Sequence, residues 1–355
     1  MNLNIKKKYT TDGKVVHLSN DEEINVKLSK IIGKKFIDYR KKWDDANNFI
    51  VPDFPLFLQI ELNQTCNFKC PHCIIGNKKL VEKYYSTKEI DFNSYKRIVD
   101  EGSDYDCPSI SPQGNNEPFL MKDLEKYIQY AHSKGFIDIM LNNNASALTE
   151  KRSKSLLDSG LTRLRFSLDA VTPETFKKIR VGSPPLDRIK KNIYTFLELK
   201  KKGNYKLPIT GVSFCELKQN QHELTSFIKE WEDKVDIVSI QKFQPPSFEE
   251  DFSKFYTDDQ YVKKEINNFK CVQPFQRVTF RNNEITPCCA SFSSLLKIGD
   301  LKTGTIHDAW NSPGMVQLRE MHKKGEHYKN IICKKCRSEE RRVGKECRSR
   351  WSPYH

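Results

Sequence analysis

The sequence lacks any long apolar run. None of its 355 residues lies in a stretch of about 18 consecutive apolar side chains, the length that a membrane-spanning helix requires. The first residues, MNLNIKKKYTTDG, also lack the apolar core of a secretory signal peptide. These absences exclude a membrane-spanning class and predict a cytoplasmic protein without a membrane partner.

A basic stripe interleaved with aromatic side chains is also missing. The formal net charge is +14, but the lysines are spread along the whole chain. Nucleic-acid-binding proteins instead gather their basic residues on one face or along one helix. We therefore expect no nucleic-acid partner. The positive charge is compatible with an acidic or phosphorylated substrate. The sequence also contains no internal repeats.

The carboxyl-terminal segment, residues 337–355, breaks the pattern of the preceding chain. It reads RSEERRVGKECRSRWSPYH and resembles an in-frame translation of a common short-read sequencing adapter. We expect this segment, with Cys347, to be an artefact of cloning or assembly and exclude it from the predicted fold. On this interpretation the authentic chain ends at or near Cys336 and is truncated.

Cysteine, by contrast, is plentiful and clustered. Cys66, Cys70 and Cys73 form the pattern C-x3-C-x2-C directly after the apolar segment 56–62. A structural zinc ion takes four protein ligands, and a cubane iron–sulfur cluster has four iron corners. Three thiolates therefore leave one corner open for a ligand that is not protein. In a cytosolic chain such clusters predict metal ligands rather than disulfides.

Apolar, β-branched segments alternate with segments of helical periodicity six times. We predict strands at residues 56–62, 109–113, 136–141, 163–168, 209–215 and 235–241. Helices are predicted at residues 92–101, 122–133, 149–158, 185–202 and 221–232. Strands that alternate with helices indicate βα units and a parallel sheet. The periodicity leaves open a partial barrel or an open doubly wound sheet.

The segments on either side of this α/β unit differ in composition. Residues 1–54 form a helical extension, with one charged amphipathic helix predicted at residues 23–46. Residues 246–270 are polar and begin with a proline, which indicates a linker or lid. Beyond them, residues 277–280 and 284–286 flank Asn-Asn and predict a β-hairpin.

The residues that follow the predicted strands resemble motifs of the radical S-adenosylmethionine (SAM) superfamily. The cysteine loop matches its cluster motif. Residues 114–118, GNNEP, resemble its GGEP segment, with asparagines in place of the glycines. The family implies a partial (β/α)6 barrel, here residues 55–245. It also implies a 4Fe–4S cluster whose open iron binds SAM and whose reduced form cleaves SAM to a radical that abstracts hydrogen.

The resemblance also implies which residues hold SAM. Glu117 faces its amino group, as a carboxylate pairs with an ammonium. Asn144, in a segment like the family's TNGT, lies beside the adenosine. Ser167 and Arg180 hold the carboxylate and ribose, to which the planar fork of arginine is suited. Cys215, at the end of the fifth predicted strand, is a candidate hydrogen-atom donor, with a buried apolar cysteine as the alternative.

A second cysteine set lies in residues 271–336. Its surroundings resemble the SPASM or shorter twitch region, which implies a second, auxiliary 4Fe–4S cluster. The family cysteine follows proline directly, so Cys288 is preferred to Cys289, although the spacing permits either. Zinc remains an alternative metal. The ligand candidates are Cys271, Cys288, Cys333 and Cys336.

This resemblance implies a radical SAM enzyme of the oxidoreductase type. Peptide and protein maturases of the family often carry or recruit a peptide-recognition domain, and the short, helical amino-terminal extension does not resemble one. We therefore expect the enzyme to oxidise or epimerise a small sugar-like or cyclitol substrate. The alternative enzymatic function is that of a peptide or protein maturase. The non-enzymatic alternative is a scaffold protein that binds zinc or an iron–sulfur cluster without turnover. A flavodoxin- or ferredoxin-like electron donor is the implied partner.

Overall fold

The chain is built around one mixed β-sheet, seen in a computed structural model. The structure describes residues 16–17, 21–85, 89–257, 269–290 and 293–336. The adapter-like segment 337–355 lies outside the described residues, as do residues 258–268 of the predicted linker. Among the described residues, no helix is both long and apolar enough to cross a bilayer.

The sheet has ten strands in the described residues. They are β1 (Val16–His17), β2 (Phe57–Glu61), β3 (Ser109–Ser111), β4 (Asp138–Asn143), β5 (Arg163–Ser167), β6 (Ile209–Glu216), β7 (Ile237–Lys242), β8 (Arg277–Arg281), β9 (Glu284–Thr286) and β10 (Gly299–Asp300). Their spatial order is β1-β7-β6-β5-β4-β3-β2-β8-β9-β10. Strands β2 to β7 are parallel, and all six were predicted from sequence, with boundaries that differ by at most two residues.

The strand order decides between the two architectures left open above. Strands β2 to β7 lie side by side in the order in which the chain makes them. A doubly wound sheet would reverse direction at an internal switch point. The sequential order is that of a partial (β/α)6 barrel, which the resemblance implied.

Helices connect the parallel strands and flank them. They are α1 (Asp21–Ile32), α2 (Lys34–Asn47), α3 (Lys78–Tyr84), α4 (Phe92–Asp104), α5 (Leu124–Ser133), α6 (Glu150–Leu157), α7 (Pro173–Ile179), α8 (Leu186–Lys202), α9 (Leu224–Trp231), α10 (Ile306–Trp310), α11 (Pro313–Lys323) and α12 (Ile331–Lys335). Alternate strand residues pack against them: Phe166 contacts Phe196 of α8, and Phe214 contacts Phe227 of α9. Contacts of this kind form the main apolar core.

The prediction of one helix over residues 23–46 was wrong. Two helices, α1 and α2, meet at Gly33, whose φ of 81° lies in the left-handed region that favours glycine. Helix α2 then buries Phe36 and Trp43 in a second core with residues such as Ile209 and Ile237, at the amino-terminal ends of their strands. The extension therefore covers the end of the sheet opposite the cysteine loop.

The predicted hairpin forms, but the sequence did not indicate where it docks. Strands β8 and β9 pair in antiparallel fashion, and β8 also pairs in parallel with β2. A two-stranded hairpin alone is marginally stable, so it needs a further apolar surface. Val278 and Phe280 provide that surface, because both are fully buried in the main core. The cysteine-rich region thus continues the sheet of the barrel.

The alternate side chains of the parallel strands form a polar layer on the face opposite the helices. Arg163 makes a two-pronged hydrogen bond to Asp138, at 2.7 and 2.9 Å. Two residues further along β5, Arg165 donates to Asn142 at 2.7 Å and to Ser239 at 3.5 Å. This pairing of polar groups across strands satisfies buried groups that would otherwise be costly.

We expect the substitution Arg163→Met to destabilise the fold strongly. The Arg163 and Asp138 side chains are only 3% and 1% exposed. Removing the guanidinium leaves a buried carboxylate without its counter-charge, which costs about 3–5 kcal/mol. Chemical denaturation followed by circular dichroism measures this loss.

The matched control is Lys154→Met, which breaks the solvent-exposed Glu150–Lys154 pair in α6. We expect its unfolding midpoint to equal that of the parent, because exposed pairs contribute little. Equal destabilisation by both substitutions would contradict the importance assigned to the buried pair.

Candidate functional site

The cysteine loop begins where β2 ends. The Cys73 amide donates to the Cys70 carbonyl at 3.0 Å, and the Gly76 amide donates to the Cys73 carbonyl at 3.0 Å. A Cβ at Gly76 would lie 2.0 Å from the Cys70 carbonyl oxygen, so this turn accepts only glycine. Burial raises the pKa of Cys66 to about 12 and that of Cys70 to about 11. The thiols therefore stay neutral until a metal replaces their protons.

The surroundings of these sulfur atoms fit a cluster better than a single ion. Within the described part of the chain, no three His, Cys, Asp or Glu side chains converge to hold one metal ion. A cubane cluster binds each thiolate through a different iron, so its sulfur ligands need not converge. Donors face these sulfurs: Asn144 Nδ2 lies 4.0 Å from Cys66 Sγ, and Arg180 Nη1 lies 3.9 Å from Cys70 Sγ. Such donors tune iron–sulfur clusters.

Glu117 lies in the loop after β3, buried beside the cysteine loop. Its Oε1 accepts a hydrogen bond from the Phe119 amide at 3.1 Å, and its Oε2 accepts one from the Asn144 amide at 2.7 Å. Burial raises the pKa of Glu117 to about 7, against the lowering effect of these two amides. One carboxylate therefore ties the loop after β3 to the end of β4.

The departure from the family motif has a structural explanation at residues 114–116. Asn116 Oδ1 accepts from the Gly114 amide at 2.7 Å and so closes the turn locally. The close backbone approach occurs at Gly114, where a Cβ would lie 2.0 Å from Cγ of Glu61. The Asn115 amide donates to that same carboxylate. The asparagines are thus accommodated because the glycine that the contact requires precedes them.

Asn144 follows β4 and holds the cysteine loop from the other side. Its Nδ2 donates to Asn67 Oδ1 at 2.9 Å, and its Oδ1 accepts from the Ser146 hydroxyl at 2.6 Å. Asn67 in turn donates to Ser146 at 2.9 Å. The predicted residue Asn144 therefore lies against the cysteine loop.

Arg180 is buried between Cys70 and Asp169. Its Nη2 lies 2.5 Å from Oδ2 of Asp169, while its Nη1 faces Cys70. Sequence reasoning assigned no role to Asp169, although it belongs to the matched segment after β5. Its φ of 65° is rare for a residue other than glycine, which is the signal of constraint visible in the structure. Ser167, at the end of β5, lies beside Ser213 with 3.4 Å between the hydroxyls.

Asp169 also reaches the candidate hydrogen donor. Its Oδ1 accepts from the Cys215 amide at 2.7 Å. Cys215 is half-buried and lies near the end of β6, in register with Gln241 of β7. The predicted residues Arg180 and Cys215 are therefore linked through one carboxylate that the sequence reasoning missed.

His72, inside the cysteine loop, packs against aromatic side chains. Its ring lies edge-on to Phe243 and Phe255, with centroids 6.4 and 6.1 Å away. Burial, together with the positive charge of Arg180, lowers the pKa of His72 to about 3. The imidazole is neutral near pH 7.

The second cysteine set lies around the β8–β9 hairpin and α12. Burial raises the pKa of Cys288, and the neighbouring thiols of Cys289, Cys336 and Cys333 raise it further. Cys289 has a different hydrogen-bond partner. Its amide and its Sγ both donate to Gln273 Oε1, at 3.1 and 3.4 Å.

The remaining members of this set are held by local hydrogen bonds. The Cys333 amide donates to Asn330 Oδ1, the cap of α12, at 3.0 Å. The Cys271 amide lies 3.3 Å from Nδ1 of His322.

Comparison with known families agrees with this arrangement. The model of the Radical SAM superfamily matches residues 60–224, and the SPASM iron-sulfur cluster-binding domain matches residues 271–337. The chain belongs to the radical SAM superfamily. The radical SAM domain implies a 4Fe–4S cluster and SAM as cofactors, and the SPASM domain implies an auxiliary iron–sulfur cluster. The family, the fold class and the cofactors that the sequence predicted are confirmed.

Curated relatives of this radical SAM chain carry the name probable GTP 3′,8-cyclase. One from Methanococcus maripaludis strain C5 is 32% identical over 142 residues, which cover 40% of this chain and 45% of the relative. A second, from strain C7 of the same species, is 27% identical and covers 64% of this chain and 70% of the relative. The chain thus spans less than half the length of the first of these relatives.

Solved radical SAM structures share the fold at low sequence identity. BtrN in complex with AdoMet and 2-DOIA aligns with a TM-score of 0.51 and 19% identity, over 84% of this chain and 97% of BtrN. Streptococcus suis SuiB bound to its precursor peptide SuiA gives 0.59 and 16%, over 80% of this chain and 71% of SuiB. Native anSMEcpe with bound AdoMet gives 0.57 and 15%, over 79% and 88%.

Proposed function

We propose that this chain cleaves SAM reductively at a 4Fe–4S cluster held by Cys66, Cys70 and Cys73, and abstracts a hydrogen atom from its substrate. When bound, the cluster would supply the electron that breaks a carbon–sulfur bond of SAM. The observation that carries this proposal is the contact chain at the strand ends. Asn144 contacts both Cys66 and Glu117, and Arg180 contacts Cys70. A structural zinc site is closed by four protein ligands, whereas the cysteine loop supplies three and has polar side chains around them.

We propose that Glu117, Asn144, Ser167 and Arg180 form the SAM site. Arg180 has donor capacity to spare, because its buried Nε has no hydrogen-bond partner in the described part of the chain. A guanidinium with a free donor suits a carboxylate, which accepts parallel hydrogen bonds. Asp169 would hold that guanidinium in place while Arg180 binds the ligand.

The substrate that we propose is a small sugar-like or cyclitol alcohol, to be oxidised or epimerised. The polar face of the parallel strands supports this class, because a hydroxyl group there can bind a polyhydroxylated molecule. Ser111 is buried on this face, and its hydroxyl has no hydrogen-bond partner in the described part of the chain. The nearly complete coverage of BtrN, a structure in complex with the small molecule 2-DOIA, also supports it. Cys215 is the proposed hydrogen-atom donor if the reaction is an epimerisation.

A peptide substrate is the second candidate. SuiB bound to SuiA and anSMEcpe bound to the Cp18Cys peptide have TM-scores of 0.59 and 0.55, above the value for BtrN. That likeness concerns the fold, and peptide-modifying and small-molecule enzymes share it. Assays with candidate substrates, rather than the geometry of the fold, therefore distinguish a peptide substrate from a small molecule.

We expect anaerobically reconstituted protein to contain about eight irons per chain, as two four-iron clusters. The variant with Cys66→Ala, Cys70→Ala and Cys73→Ala should lose about half of this iron and all SAM cleavage. Iron analysis and chromatography of 5′-deoxyadenosine measure the two effects.

The control for this experiment is Cys107→Ala. Cys107 is buried before β3, where its thiol donates to the Ser109 carbonyl at 3.6 Å, so both clusters should be retained. Stoichiometric zinc without visible charge-transfer absorption in the parent protein would refute the proposed chemistry.

We propose that Cys271, Cys288, Cys333 and Cys336 bind the auxiliary cluster. The thiols of Cys289, Cys336 and Cys333 all raise the pKa of Cys288, and the thiol of Cys289 donates to Gln273 Oε1 at 3.4 Å. Cys288→Ala should therefore lose the auxiliary cluster, while the neighbouring control Cys289→Ala keeps it. Mössbauer spectra of the two variants measure cluster content. The opposite result would transfer the ligand role to Cys289.

Deuterium transfer distinguishes the two substrate classes. We expect a deuterated sugar or cyclitol to pass its label to 5′-deoxyadenosine when the holoenzyme is reduced by flavodoxin, the proposed electron donor. Labelled peptides encoded beside the gene serve as the comparison. Label transfer from such a peptide, and from no small molecule, would establish the maturase alternative.

A further inference from the structure

A buried ion pair joins the barrel to the cysteine-rich region. Glu61 is the last residue of β2 and Arg281 is the last residue of β8, and the two are direct partners in the parallel ladder. Arg281 Nε lies 2.8 Å from Glu61 Oε2, and the side chains are 3% and 0% exposed. The pair therefore lies at the strand end from which the cysteine loop continues.

On the barrel side, the Glu61 carboxylate organises two functional loops. Its Oε1 accepts from the Asn115 amide, in the loop that leads to Glu117. Its Oε2 also accepts from Gln64 Nε2 at 3.2 Å, at the start of the cysteine loop. The absence of a side chain at Gly114 makes room for this carboxylate. Glu61 thus connects the proposed SAM site to β2.

On the other side, the Arg281 guanidinium reaches the auxiliary-cluster region. Its Nη2 donates to the Ala290 carbonyl at 3.1 Å, directly after Cys288 and Cys289. It also interacts electrostatically with Cys288. The guanidinium lies 5.7 Å from the centre of the Tyr85 ring, whose hydroxyl accepts from Asn115 Nδ2 at 2.8 Å. Glu61 and Arg281 thus form the centre of a contact path between the two cysteine sets.

We propose that the Glu61–Arg281 pair is a positioning element that docks the auxiliary-cluster hairpin onto the barrel and sets the reduction potential of the auxiliary cluster. This inference rests on the proposed role of Cys288 as a ligand of that cluster. Reduction adds negative charge to a cluster, so a nearby guanidinium favours the reduced form and a nearby carboxylate disfavours it. Burial strengthens both effects because little water screens them.

The chain contains a matched control for this pair. Arg163 and Asp138 form another buried arginine–carboxylate pair, with nearly the same distance from Nε to the carboxylate, 2.7 against 2.8 Å, and nearly the same exposure. That pair links the beginning of β5 to the beginning of β4, at the opposite end of the strands. Breaking either pair should destabilise the fold, but breaking the Glu61–Arg281 pair alone should change a cluster potential.

The experiment is a redox titration of the auxiliary cluster, followed by electron paramagnetic resonance. The background carries Cys66→Ala, Cys70→Ala and Cys73→Ala, so the auxiliary cluster is the one that remains. We expect Arg281→Met to shift its midpoint potential downward and Glu61→Gln to shift it upward. Arg163→Met should leave the potential unchanged despite its loss of thermal stability. Shifts of one sign in all three variants, or no shift in any of them, would overturn the inference.

Two further variants separate charge from folding. Arg281→Lys keeps the charge and should stay near the parent potential, even though it loses the fork that contacts Glu61 and Ala290. The double variant Glu61→Gln with Arg281→Met removes both charges and leaves no unpaired ion, so it should fold and show a smaller shift than either single change. A potential for Arg281→Lys as low as that for Arg281→Met would contradict the role of the charge.

Failure of the proposed function gives a different result from failure of this inference. If the background protein bound no iron at the second cysteine set, the proposed auxiliary cluster would be wrong. A cluster present with a potential insensitive to Glu61→Gln and Arg281→Met would leave the function intact and refute the role of the pair.

Discussion

The parallel pairing of β2 with both β3 and β8 is the constraint on which the rest of the structure depends. Residue for residue, Phe57–Glu61 lies beside Arg277–Arg281 on one side and beside the start of β3 on the other. Parallel strands end at the same edge of a sheet. The cysteine loop, the loop of Glu117 and the hairpin that carries Cys288 must therefore meet there, although 215 positions separate Cys73 from Cys288.

Buried charge on the polar face of this sheet serves position more than stability. A buried ion pair gains little net free energy, because the cost of removing both ions from water offsets their attraction. Its value is directional, since few alternative arrangements satisfy both partners. Arg163 with Asp138 aligns β4 and β5 at one end, and Arg281 with Glu61 aligns β8 and β2 at the other. The site is thus held from both ends of the strands by groups that tolerate little displacement.

Asp169 gives the site a further connection. One oxygen lies against Arg180, which faces Cys70, and the other accepts from the Cys215 amide. The proposed SAM site and the proposed hydrogen donor therefore share a carboxylate. A shift of α7 or of the end of β6 would therefore move Asp169 and change the positions of both Arg180 and Cys215. This linkage gives a physical reason for a strained left-handed residue where β5 ends.

The sequence by itself determined the features that local patterns encode. Cysteine spacing indicated the cluster loop, and periodicity located all six parallel strands, because side-chain spacing and strand length are properties of short segments. The sequence reasoning missed Gly33 as a break in the amino-terminal helix, since a single glycine is often tolerated within a helical pattern. Only the tertiary structure decided which groups share the site. Glu61 and Arg281 are 220 positions apart, and Cys288 and Cys289 are identical in type and adjacent. Their partners follow from strand register and from burial, which arise when distant segments pack and leave no mark in the local sequence.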